Sequence, residues 1–252
     1  VGEVLVARED ELEARARQTT IVLPAGTYFL VIPVQGSDGD FEGDLNLKTP
    51  ASGNPVIQIV GAGAATTFID PDGLSRAFDV ATGRTASIAG VTIRNGYLAS
   101  GDGGGIRSAG TLSLSNSVVS GNTAFVGGAI ESAGPLTLTA TVIQSNNASY
   151  AGGGIYMDGG TLTMTDSVIS GNTSPIGAGG GLLLDTAAVV LDRTTVSGNS
   201  SGNWGGGIEA HRGSLVLRNC TISGNHAAYH GGGIFVWGSD ATVNIYSSSI
   251  LS

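Results

Sequence analysis

Three carboxylates raise the first chemical question. Asp158, Asp185 and Glu209 stand in the phrases GGGIYMD, GGGLLLD and GGGIEAH, one or three steps past the apolar residue that closes each glycine triplet. Paired carboxylates can act as general acid and base on a glycosidic bond. A gap of about 5–5.5 Å suits retention, and about 6.5–9.5 Å leaves room for a water and inversion. Tyr156, Phe235 and Trp237 fall at the same two offsets, with His211 among them. Flat rings beside carboxylates suit a sugar chain. Tyr156, Asp158, Asp185, Glu209, His211, Phe235 and Trp237 are therefore the candidate glycan-binding set, and Asp158, Asp185, Glu209 and His211 its catalytic subset should the face be enzymatic. Two features weigh against catalysis. A uronate substrate calls for basic residues where only His211 and Arg212 are on offer, and short glycine-rich corners supply no long loop to shut out water. The competing reading is a solvated face with scattered apolar residues.

Other chemistry is sparser. The segment DGDFEGD places Asp38, Asp40, Glu42 and Asp44 at EF-hand-like spacing, a candidate Ca²⁺ site. Thr49 stands where the bidentate glutamate belongs, so a hydrated acidic loop competes with it. No other cofactor is implied. His211, His226 and His230 lack metal-ligand spacing. Net charge is −9 and Lys48 is the only lysine, which argues against nucleic acid and against an anionic membrane surface. No apolar run approaches the length of a membrane-spanning helix.

The elements that must carry these residues are repeats. The apolar residue after each triplet recurs as Ile106, Ile130, Ile155, Leu182, Ile208 and Ile234, at spacings of 24, 25, 27, 26 and 26. The asparagine of the SGN phrase recurs as Asn122, Asn146, Asn172, Asn199 and Asn225, with Asn95 of TIRNG read as the start of the series. Between these markers lie alternating stretches such as Leu112-Ser-Leu114, Leu136-Thr-Leu138 and Leu215-Val-Leu217, the period of a strand with one buried face. About 25 residues cannot bury their own core, but stacked copies can. The fold class is therefore all-β, a parallel β-helix of roughly eight or nine coils with three short strands each. The five asparagines form a structural ladder, and Cys220 falls in an inward column of small residues with Ser117, Thr141, Ser167 and Thr194.

Two ends break the pattern. Residues 1–20 read as an N-terminal cap. Within it, 8–18 (REDELEARARQ) is a short helix with a capping box at Asp10 and Glu13 and i,i+4 pairs Glu11–Arg15 and Glu13–Arg17. Residues 21–252 form one β-helix domain. It stops in mid-coil at NIYSSSILS, so the expectation is that the helix continues into further C-terminal sequence or docks end to end with another copy.

These residues resemble the right-handed β-helix repeats of polymorphic outer-membrane proteins and choice-of-anchor proteins, within the pectate-lyase-like superfamily. GGAI stands at 127–130, and the FxxN signature is present with Val in place of Phe as Val119-Ser-Gly-Asn122. The resemblance implies a right-handed coil and a secreted or surface-anchored bacterial protein. The leading expectation is a non-enzymatic adhesin, stalk or wall component that binds polysaccharide or surface glycan. The alternatives are a polysaccharide lyase or glycoside hydrolase, since that superfamily also holds pectate lyases and polygalacturonases, and an end-to-end assembling structural subunit.

Overall fold

The computed structural model describes residues 3–4, 19–30, 44–47 and 56–251. The expected capping helix at 8–18 lies outside them. Every described strand pairing is parallel, and the strands stack into sheets of eight, nine, ten and five strands. The chain is an all-β, right-handed parallel β-helix of about eight turns. One coil shows the path. Ile130–Ser132 lies on face A, Leu136–Thr139 on face B, Val142–Gln144 on face C and Asn147–Ala151 on face D, after which the chain re-enters face A at Ile155.

The sequence spacing predicts three strands per coil, and the structure has four. The stretch after each SGN phrase is too short and polar to read as a strand. It still pairs with its copy one coil away, as Thr123 with Asn147 and Thr173 with Ser200. Stacking supplies the partners that its own composition does not advertise.

Register follows the repeat letter by letter. Ile106, Ile130, Ile155, Leu182, Ile208 and Ile234 form one column. Leu114, Leu138, Met164, Leu191 and Leu217 form another. Between Ile106 and Ile222 these inward columns are essentially without solvent exposure. Burying one such side chain stabilises by about 1.5–3 kcal/mol, so the core is a sum of many near-identical small gains along the rod.

Each corner is set by a residue in the left-handed region. Between faces B and C it is Asn116, Ala140, Asp166, Arg193 or Asn219. The small residue that follows turns inward and returns its side chain to the strand just left: Thr141 Oγ1 donates to Thr139 O at 3.0 Å, and Ser167 Oγ to Thr165 O at 2.7 Å. Cys220 occupies the same place, buried, with its thiol on Arg218 O at 3.2 Å. Between faces C and D the left-handed residue is Gly121, Ser145, Gly171, Gly198 or Gly224, and the asparagine comes next.

Those asparagines form a continuous buried ladder. Asn172 Oδ1 accepts from both the backbone N–H and the Nδ2 of Asn146, at 3.0 and 2.9 Å. Asn172 Nδ2 donates onward to Asn199 Oδ1 at 2.9 Å and sideways to Ile143 O at 3.0 Å. The pattern runs from Asn122 to Asn225. Asn95 does not begin it. Asn95 aligns instead with the left-handed Gly121, at φ 59°, and its amide turns away to Asp70 Oδ2 at 2.8 Å. Gly96 holds the ladder position, and its N–H donates to Asn122 Oδ1 at 2.8 Å. TIRNG carries its asparagine one place earlier than SGN does.

The triplet packs against this ladder, which explains two of its glycines. A methyl group on Gly180 would lie 2.4 Å from Ser200 O and 2.5 Å from Gly206 O, a direct collision with backbone. On Gly181 it would lie 2.6 Å from Gly207 O and 3.0 Å from Cγ and Nδ2 of Asn199.

Two substitutions test the ladder and the corner by chemical denaturation. Asn172→Ala strands the Asn146 N–H, removes the side-chain donor to the Ile143 carbonyl and one of the two donors to Asn199 Oδ1, and is expected to cost about 2–4 kcal/mol. Asn225→Ala, at the less buried end, should cost about half as much. Gly180→Ala should cost more than Gly224→Ala. The latter meets nothing within 4 Å and bears only the left-handed penalty, about 1 kcal/mol.

Candidate functional site

The outward side of face A is a groove. Each coil enters face A through its glycine corner, and the first glycine lies over the residue one step past the corner. A methyl group on Gly152 would come within 2.8 Å of Tyr156 Cβ, on Gly179 within 2.6 Å of Leu183 Cβ, and on Gly205 within 2.8 Å of Glu209 Cβ. The residue just before that glycine forms a wall: Asp102, Val126, Ala151, Ala178, Trp204 and His230 stack in register. The floor is the column Arg107, Glu131, Tyr156, Leu183, Glu209 and Phe235. Ala151, Ala178 and Leu183, with Val126 and Tyr156, make a small apolar cluster outside the main core.

This geometry buries side chains that point away from the lumen. Glu131 is 8% exposed and Glu209 5% exposed. Burial pushes both carboxyls up to about 7. At Glu131 the Arg107 guanidinium opposes the rise while Asp102 and Asp158 add to it, and at Glu209 the neighbouring Asp185 adds to it. Glu209 Oε2 is buried without a hydrogen-bond partner. Tyr156 is pushed up to about 12, first by burial and then by Asp158 and Asp185.

The cations in the groove are engaged. Arg107 pairs with Asp79 at 3.2 Å and Glu131 at 3.7 Å. Arg212 donates to both oxygens of Asp185, at 3.1 and 3.4 Å, and His211 Nδ1 stands 3.5 Å from the same carboxylate. Asp158 lies directly beside Asp185 in register, is exposed, and makes no ion pair among the described residues.

Aromatic rings gather at the last described coils. Trp204 stacks on Phe235 at 5.7 Å and on Trp237 at 5.5 Å, with Phe235 and Trp237 6.2 Å apart. His230 stacks on Phe235 at 6.2 Å, and His211 lies tilted 6.5 Å from Trp237. Of the residues expected from sequence, Asp158, Asp185, Glu209, His211, Phe235 and Trp237 occupy adjacent positions on one face. Tyr156 shares the floor, but Leu183 and Glu209 separate it from the ring cluster.

Sequence reasoning puts Glu131 in the outward column without choosing it as a binding residue, and does not single out Trp204 or His230 for this face. Trp204 and His230 each immediately precede a glycine triplet, the position that becomes the wall. The same rule finds a second, exposed pair one residue earlier, Phe125 and Tyr150, with rings 5.2 Å apart and nearly parallel at 7°. Of the acidic loop, Asp38, Asp40 and Glu42 lie outside the described residues, and Asp44 is buried against Arg76 at 3.4 Å. No group of three or more His, Cys, Asp or Glu placed to hold a metal occurs among the described residues. No helix among them is long and apolar enough to cross a membrane.

Coil, ladder and corner together define a right-handed parallel β-helix with one grooved face. In sequence, residues 76–250 match the family described as the right-handed β-helix region, and the chain belongs to that family. No curated protein matches it in sequence. Among solved structures it is similar to the A-module of the mannuronan C-5 epimerase AlgE4 from Azotobacter vinelandii. That likeness has 14% identity and a TM-score of 0.37, over 93% of this chain and 87% of that one.

The buried glutamates carry a linkage consequence. A glutamate of ordinary value 4.5 that titrates near 7 when folded ionises first in the unfolded state. Its contribution to stability is therefore greatest below pH 4.5, declines as pH rises to about 7, and is flat above. Glu209→Gln removes the ionisation, so it should stabilise at pH 8 by on the order of 2 kcal/mol and change little at pH 4. Thermal melts of both proteins at the two pH values check this, and an equal shift at both would contradict it.

Proposed function

We propose that this chain is the β-helical rod of an extracellular or cell-surface bacterial protein, an adhesin, stalk or wall component, and that it binds glycan in the groove of face A. The observation that carries the reading is the stack of Trp204 on the wall with Phe235 on the floor and with Trp237, beside the buried carboxyl of Glu209. Aromatic faces held rigidly beside hydrogen-bonding groups are what a pyranose ring, with an apolar face and a polar rim, requires. The long axis of the rod presents a floor position in every coil, so an extended chain of sugars can make repeated contacts. The GGAI and FxxN phrases support placing the protein with outer-membrane and anchored repeat proteins.

A glycan array followed by titration of the best oligosaccharide tests this. Trp204→Ala and Trp237→Ala should each weaken binding by about tenfold or more, as loss of a stacked ring does elsewhere. Phe125→Ala, on the outer side of face D, should leave it unchanged.

One specific observation favours the enzymatic alternative. Glu209 is held near 7 beside Asp185, and Asp185 is tied to Arg212. A buried carboxyl that holds its proton, next to a carboxylate paired with an arginine, is an arrangement an acid and a base can use. Incubation with neutral and acidic polysaccharides, followed by assays for new reducing ends and for unsaturated products, separates the two. Turnover that disappears in Glu209→Gln would establish an enzyme; binding without turnover across the panel supports the rod.

A further inference from the structure

The groove is acidic in a particular way. Asp102, Glu131, Asp158, Asp185 and Glu209 line it or flank it, and its guanidinium groups, Arg107 and Arg212, are both committed to carboxylates already there. Carboxylates outnumber these cations by five to two. Glu209 is distinct from the rest. Like Glu131 it is buried and points out of the lumen, but its Oε2 is buried with no donor among the described residues. A buried acceptor without a donor is costly, and such a group in a native fold calls for a partner from outside it. In register, Glu209 sits between Leu183 and Phe235, and Phe235 in turn lies under Trp204. The donor must therefore fit beside aromatic rings. A compact cation does so, because a ring face attracts an ammonium group.

We propose that the groove selects an amino-sugar polymer with free, protonated amines, whose ammonium group sits on Glu209 against the Trp204 and Phe235 rings while Asp158, two coils away, takes another amine further along the chain. This rests on the glycan-binding reading above and names its substrate class. The groove is badly matched to a polyuronate: bringing further carboxylates next to Asp158, Asp185 and Glu209 is repulsive, and neither arginine is free to offset them. A neutral glycan could stack on the rings but would leave the carboxylate surplus unanswered. A basic peptide would bring ammonium groups on flexible stems, without rings to lie on the aromatic wall.

Calorimetric titration decides it, with four probes of matched length: a glucosamine hexamer at a pH where its amines are charged, its fully N-acetylated counterpart, an oligogalacturonate and an oligolysine. The glucosamine hexamer should bind tightest, by about tenfold over the N-acetylated form, and should weaken as salt is raised. In Glu209→Gln that preference should fall by about tenfold. Asp158→Asn, an exposed position that does not threaten folding, should lower it independently. Equal or tighter binding of the N-acetylated or uronate oligomer overturns the amino-sugar assignment and leaves the glycan-binding reading standing. Preference for oligolysine, or no binding by any sugar, overturns both.

Discussion

Vertical alignment between coils is the constraint on which everything else in this molecule rests. Each coil is too small to hold a core and too glycine-rich to hold a shape by itself. Its strand hydrogen bonds, its apolar columns and its asparagine ladder are made with the coil above or below. The asparagine ladder is the most exacting of these contacts. A leucine column tolerates a slip in side-chain rotamer, whereas each ladder amide must offer one oxygen to two donors and one nitrogen to two acceptors at about 3 Å. Glycine at the triplet follows from that demand, since side-chain atoms there would intrude on the amides or on the next backbone. One triplet departs from the rule: Ala129, buried, holds its third place instead of a glycine. The third position is thus slightly the more forgiving one, in keeping with a nearest backbone oxygen at 2.6 Å for Gly181 against 2.4 Å for Gly180.

The repeat makes the fold legible because a solenoid writes its contact map in the spacing of its letters. Columns Ile106 to Ile234 and Asn122 to Asn225 can be drawn from the letters alone, and the register reproduces them. What escapes is local. Letter matching shifts Asn95 by one position, because it favours asparagine over the backbone conformation the residue has to adopt; the left-handed site accepts Asn more readily than most side chains. The fourth side escapes because strands such as Thr173–Ser174 are only two residues long and have no period to read.

The site is half legible for a related reason. Offsets from the triplet tell which residues point outward, so Asp158, Asp185, Glu209, His211, Phe235 and Trp237 are found together. Equating outward with solvated fails at Glu131, Leu183 and Glu209, because the corner folds back over the floor and the wall residues shield it. Whether an outward residue meets water depends on the path of the turn before it, and the sequence states that path only through a glycine and the single letter in front of it.

The same fold-back gives the rod a means of acquiring specificity without altering its core. The wall position is read by no column inside the lumen, so it is free to vary: it is Ala at 151 and 178, Trp at 204 and His at 230. Where the wall is alanine, the floor residue beside it is Tyr156 or Leu183 and the groove closes into a small apolar cluster. Where it is tryptophan, the floor residue is a glutamate and the ring stacks forward onto the next coil. Wall and floor therefore both vary over a scaffold of constant ladders. A β-helix can keep its stability in the inward columns and set its chemistry, coil by coil, with the one letter that precedes the glycines and the one that follows the next apolar residue.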